Sequence, residues 1–180
     1  MRGRAWRAVI PLAVVLALGG CAGSPAVPTP SPTISHSPAS EEAISEALEF
    51  ALQTYLATID TIGAEGGERV DRVQDMVAPE VLEQHRRDAG ILKSNGWRTE
   101  GTTSFDTLEL QTASSGIGGI RVINYVCLDV SHVRVIDSSG SDVTPPEREN
   151  RLPLEQTWVG SALEELVLES SQVWQGDNFC

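Results

Sequence analysis

Basic charge is scarce in this 180-residue sequence, where 13 Lys and Arg stand against 25 Asp and Glu. Such a chain lacks the positive footprint that nucleic-acid binding requires. It is equally unsuited to electrostatic docking on anionic lipid head groups. Cysteine is nearly absent, with three residues, and the three histidines, His36, His85 and His132, are isolated. These residues show none of the paired spacing of a metal site, so neither metal nor cofactor is expected. A nucleophile elbow, a phosphate-binding loop, a dinucleotide fingerprint and a metalloprotease helix are all missing. The apolar run near the N-terminus, Ala8 to Leu18, spans 11 residues and contains Pro11. That is too short for a membrane-crossing helix, which needs about 20 residues.

The same run does fit an export signal. Arg2, Arg4 and Arg7 precede it and Leu18-Gly19-Gly20-Cys21 closes it. A basic segment, a short apolar segment and small residues before a cut site make up such a signal. The cysteine sharpens the reading, because this arrangement resembles a bacterial lipobox with Leu18 at its first position. The resemblance implies diacylation of the Cys21 thiol, with palmitate-type chains, and removal of residues 1 to 20. The mature chain would then sit on the outer, extracytoplasmic face of the cell membrane. One buried acyl chain holds a protein only marginally, at about 0.8 kcal/mol per CH₂, and a diacylglyceryl group supplies two. Cleavage by an ordinary signal peptidase would instead leave Cys21 as a free thiol. No adjacent Arg-Arg pair occurs in the first seven residues, which points to the general export route. Removal of the signal leaves 10 basic against 25 acidic residues, a net charge of −15. The acidic body serves solubility by default.

Export also governs the remaining cysteines. Cys127 and Cys180 are an even pair in an oxidising compartment, which reads as one disulfide. The alternative is a buried free Cys127 and a loose Cys180.

Residues 21 to 40 comprise Cys21 and a stalk in which Pro25, Pro28, Pro30, Pro32 and Pro38 alternate with Ser, Thr and Ala. Such a composition favours extended polyproline II and cannot build a core. His36 falls within the stalk and is read as solvated. Residues 41 to 180 are long enough for one domain with a core of its own.

Within that domain the spacing predicts a first helix from Glu41 to Ile62, with Ile44, Leu48, Ala51, Tyr55, Ile59 and Ile62 on one stripe that Leu52 and Leu56 widen. Ser40 is its cap and Gly63 its stop. A short second helix is expected over Glu68 to Met76, with Val70, Val73 and Val77 inside. A third starts at Pro79 and ends near Ser94, with Val81, Leu82, His85 and Ala89 facing inward. Alternation then predicts strands over Phe105 to Thr112, Gly119 to Ile136, Leu152 to Trp158 and Leu163 to Trp174. Between Ser131 and Val133 the apolar parity switches, which is what a bulge produces.

Three N-terminal helices on a bent antiparallel sheet of about four strands make an α+β fold. This order resembles the nuclear transport factor 2-like cone fold. Its carriers are the first helix with Tyr55 in its stripe, the Pro79 helix start, the bent strand around Ser131, and the strands holding Trp158 and Trp174. With the lipobox and stalk, the chain is similar to small lipoproteins of actinobacteria that carry this fold. The resemblance implies a conical pocket. Some relatives are isomerases, dehydratases or hydrolases, and many only bind or assemble.

The tempting acid-base group is Tyr125, Asp129 and His132. On their strand the apolar face is even-numbered, so Tyr125 and Asp129 are expected outside, and His132 turns outward after the switch. No catalytic residue is therefore assigned. Asn124 and Gln156 share the inward parity and, with Tyr55, His85 and Trp158, are the candidates for lining a pocket. The competing reading is that they satisfy one another in a closed core. The expected function is an exported, membrane-anchored lipoprotein that binds a small apolar ligand or an envelope protein partner without catalysis. The alternative is an enzyme that uses the cone pocket.

Overall fold

A computed structural model describes residues 40–180. The expected signal peptide, the Cys21 attachment site and the stalk with His36 lie outside the described residues, except for Ser40. Helix α1 runs Glu41–Ala64 and is capped by Ser40, whose hydroxyl accepts from the Ala43 amide at 3.2 Å. Glu41 and Glu42 occupy its first turn, where they suit the positive end of the helix dipole. Its most deeply buried side chains are Ile44, Leu48, Leu52, Leu56 and Ile62, whereas Ala51, Tyr55 and Ile59 are half-buried beside them. The buried stripe is thus centred on Leu48 and Leu52, rotated from the row through Ala51 and Tyr55. The expected stop, Gly63, lies inside the helix, and Thr99 packs so closely against it that no Cβ would fit.

The expected three N-terminal helices are two. Where a second helix over Glu68 to Met76 was expected, only a 3₁₀ turn forms, Val70–Val73. Gly66, Gly67 and Arg69 all take positive φ, at 67°, 85° and 52°. A stretch this short after a left-handed entry cannot repay the cost of nucleating an α-helix. Its end is drawn away instead: the Leu168 amide donates to the Met76 carbonyl and the Ala78 amide to the Leu168 carbonyl, each at 2.9 Å. Helix α2 follows at Pro79–Asn95 and closes on Gly96 in the left-handed region, φ 63°.

Six strands come next: β1 Arg98–Glu100, β2 Ser104–Gly116, β3 Gly119–Asp129, β4 Arg134–Ile136, β5 Arg151–Gly160 and β6 Val167–Val173. Strands β2, β3, β5 and β6 form one antiparallel sheet in the order β2-β3-β5-β6. Register shifts within β2, between Asp106 and Glu109 and between Leu110 and Thr112, and within β5–β6 between Thr157 and Trp158, bend it. Strand β2 runs on past the expected end at Thr112 to Gly116. The last expected strand is divided between a 3₁₀ turn at Leu163–Glu165 and β6.

The parity switch beyond Ser131 has a different cause from the bulge expected. The chain leaves the sheet in a turn, with the Val133 amide on the Val130 carbonyl at 3.0 Å. Asp129 accepts from the Ser131 amide at 2.8 Å, and the Arg148 guanidinium donates to the Val130 and Val133 carbonyls at 2.9 Å. Strand β4 then pairs with β1 in a separate two-stranded ribbon.

The core lies between α1 and the sheet, where Leu48, Leu52, Val122, Val126 and Leu168 are fully buried. Two helices followed by a bent antiparallel sheet of four strands make this an α+β fold.

Candidate functional site

Tyr55 faces the second helix from α1, and His85 faces the first from α2. The two meet at 3.0 Å between the phenol oxygen and Nε2. Trp158 of β5 meets the Tyr55 ring edge-on, with centroids 6.4 Å apart at 87°. Burial, and secondarily Asp88, pushes the Tyr55 phenol up to about 12. Burial lowers His85 from its ordinary value, against an opposing pull from Asp88. At neutral pH the pair is a protonated phenol and a neutral imidazole. The phenol donates to Nε2 in one imidazole tautomer and Nε2–H donates to the phenol oxygen in the other, and in both the pair needs no counter-charge.

His85 also lines a cavity of about 390 Å³ enclosed by the C-terminal half of α1, by α2 and by the β1–β4 ribbon. Ile59, Ile62, Ala89, Trp97 and Val135 belong to its apolar lining. Two carboxylates border it. Asp60 is fully engaged, accepting from the Thr103 amide at 2.8 Å and the Thr103 hydroxyl at 2.7 Å. Asp88 accepts from the Gln84 amide at 2.9 Å. The cavity therefore offers apolar contact and one neutral imidazole, with Asp60 committed to Thr103 and Asp88 exposed at its border. That equips it to hold an apolar molecule with a single hydrogen-bonding group.

Of the five candidate pocket residues, His85 alone lines this cavity, with Tyr55 bonded behind it. Asn124 and Gln156 stand opposite one another on β3 and β5 and are 0% and 2% exposed. Their side-chain amides approach at 3.5 Å, and Gln156 donates onward to the Ser171 hydroxyl at 3.4 Å. They fill the inner face of the sheet. Trp158, also buried, borders a separate groove between α1 and the segment before β6. The Asn124 Oδ1 and Trp158 Nε1 atoms have no partner among the described residues.

The rejected acid-base group lies elsewhere. Tyr125 is stacked between Trp174 and Phe179 at 4.7 and 5.7 Å. Asp129 is held well below the usual carboxylate range, first by Ser131 and then by Arg151, whose guanidinium stands 3.1 Å away. His132 is exposed. Cys127 and Cys180 are disulfide-paired with Cα atoms 5.4 Å apart, within the ordinary span of a disulfide. Among the described residues, no three His, Cys, Asp or Glu side chains converge as a metal site.

Sequence reasoning did not find Asp88, Trp97 or the ribbon wall. Ile59 and Ile62 were visible as stripe residues, and the apolar alternation of Val133 and Val135 was the remaining signal. It marked an inward face without saying which element that face would close.

No protein-family model matches this chain, and no curated protein matches it. Among solved structures, the intermembrane space region of chloroplast protein ARC6 is similar with a TM-score of 0.53 at 10% identity, covering 72% of this chain and 95% of that one. A protein from Catenulispora acidiphila, solved in complex with S-DNPA, aligns at TM-score 0.42 and 15% identity over 71% of this chain and 92% of its own. A de novo β-sheet design protein aligns at TM-score 0.30 and 17% identity over 77% and 89%. The first likeness is one of fold alone, and the other two carry no further weight.

Proposed function

We propose that this chain is an exported lipoprotein, held by lipid on Cys21 at the outer face of the cell membrane, whose folded domain binds a small apolar ligand without catalysis. The similarity to small actinobacterial lipoproteins of the cone fold belongs to this reading. The observation that carries the binding role is the apolar cavity of about 390 Å³ with neutral His85 in its wall. A volume of this order suits a small molecule. The bordering carboxylates are tied to Thr103 and Gln84, and His85 is oriented by a phenol. A general base is normally oriented by a partner that supports its charged form, and this favours holding over proton transfer.

Two measurements test the two halves. Membrane fractionation with labelled fatty acid should find Cys21→Ser unlabelled and still carrying residues 1 to 20, and undiminished label would refute the anchor. A neutral naphthylamine probe should fluoresce on binding the full chain. Val135→Trp, which fills the cavity, should abolish that signal. Binding that survives Val135→Trp would overturn the cavity reading.

A further inference from the structure

A second surface lies between α1 and the chain leading into β6, separate from the cavity. Ala43, Ala47 and Ala51 recur every four residues along this side of α1, which places them in one row. Their small side chains leave a trough of about 730 Å³ that Met76, Leu163 and Leu166 line from the other side. Phe50 stands at its edge, 72% exposed. An aromatic ring left in water beside an apolar trough is the composition of an interaction site.

Charge identifies the occupant. Glu46, Asp75, Glu164 and Glu165 border the trough, and no Lys or Arg among the described residues does. None of the four is ion-paired among the described residues, although ten ion pairs form elsewhere on the domain. Glu165 receives only the Ser161 hydroxyl. Four unneutralised carboxylates around an apolar floor repel an anionic lipid surface, and they would meet the same four carboxylates on a second copy of this chain. They complement a ligand that is apolar in the middle and basic on its flanks.

We propose that this groove docks a partner protein through a cationic amphipathic segment, its apolar face seated against Phe50 and the alanine row and its Lys or Arg residues on the four carboxylates. Helix-in-groove recognition of this kind uses apolar anchors at spacings of three and four. The probe is a synthetic amphipathic Leu/Lys helix, measured against the full chain together with a scrambled peptide of the same composition. The amphipathic peptide is expected to bind at least tenfold tighter than the scrambled one. Phe50→Ser and the double variant Glu46→Gln/Glu164→Gln should each weaken it tenfold or more without moving the melting temperature, since all three residues are exposed. Equal binding of both peptides, or indifference to Phe50→Ser, would reduce the effect to bulk charge attraction and overturn the proposal. Self-association of the full chain that Phe50→Ser abolishes would also overturn it, because the groove would then hold a second copy. Val135→Trp should leave peptide binding intact, so the cavity reading and this one fail independently.

Discussion

The Tyr55–His85 pair makes a prediction at the scale of single residues. Folding lowers the His85 pKa below its ordinary 6.5. The unfolded chain therefore binds more protons than the folded one in the interval below 6.5. The stability that His85 contributes is complete above 6.5 and is lost as pH falls through the lowered value. Tyr55 works in the opposite direction: with its phenol held up at about 12, its contribution is complete below 10 and is lost as pH rises toward 12. Thermal denaturation should show the wild type losing stability between about pH 7 and pH 5 (a window set by the reference histidine value), and His85→Gln losing less. An equal loss in both would mean that the imidazole does not titrate against folding. Tyr55→Phe removes the hydroxyl and its bond to His85, and should cost about 1 kcal/mol, the usual net value of one buried hydrogen bond. Histidine, tyrosine and their two helices were legible in the sequence, because both sat on apolar stripes. Their contact was not, since it joins positions 30 residues apart.

At the scale of elements, what could be read followed from how much each element depends on its own residues. Helix α1 carries its cap, its dipole-matched acids and its stripe within itself, so its start at Glu41 was legible. Helix α2 likewise advertised Pro79 at its start, and it ends at Asn95, one residue past the expected Ser94. The stretch from Glu68 to Met76 has valines at helical spacing, yet it folds as a turn because β6 takes its terminal backbone groups. A partner strand more than 90 positions away leaves no mark on a local pattern. The β3 alternation correctly separated Val122, Asn124 and Val126 from Tyr125 and Asp129. The same rule failed after Val130, where Asp129 and Arg148 turn the chain out of the sheet. The core interface between α1 and the sheet rests on Leu48 and Leu52, both fully buried. Leu48→Ala should cost 2–5 kcal/mol, the usual range for a buried leucine. Chemical denaturation measures this, and a loss under about 1 kcal/mol would mean that the helix sits loosely on the sheet.

At the scale of the whole domain, the C-terminal tail is the feature that closes the outer side of the sheet. The Trp174 amide donates to the Pro153 carbonyl at 2.8 Å, and the tail then covers Tyr125 with Trp174 and Phe179. Cys127, on the same face as Tyr125, is completely buried beneath it and joined to Cys180. Compartment and the even count of the remaining cysteines pointed to the pairing, but the aromatic stack was not legible, because Phe179 belongs to no periodic segment. The disulfide spans 53 positions, for which the chain-entropy estimate is about 4 kcal/mol. Aromatic stacking supplies a second hold of about 0.5–1.5 kcal/mol per pair. Cys180→Ser should therefore lower stability by about 2–4 kcal/mol, and reducing the wild type should reproduce that loss. The tail would then fray, exposing Tyr125 and moving Trp174 emission to the red, while the cavity lined by His85 keeps its probe. Thiol titration of the denatured, unreduced protein provides the independent check. Two reactive thiols from Cys127 and Cys180, or a Cys180→Ser variant as stable as the wild type, would leave the aromatic stack as the sole fastening of the tail.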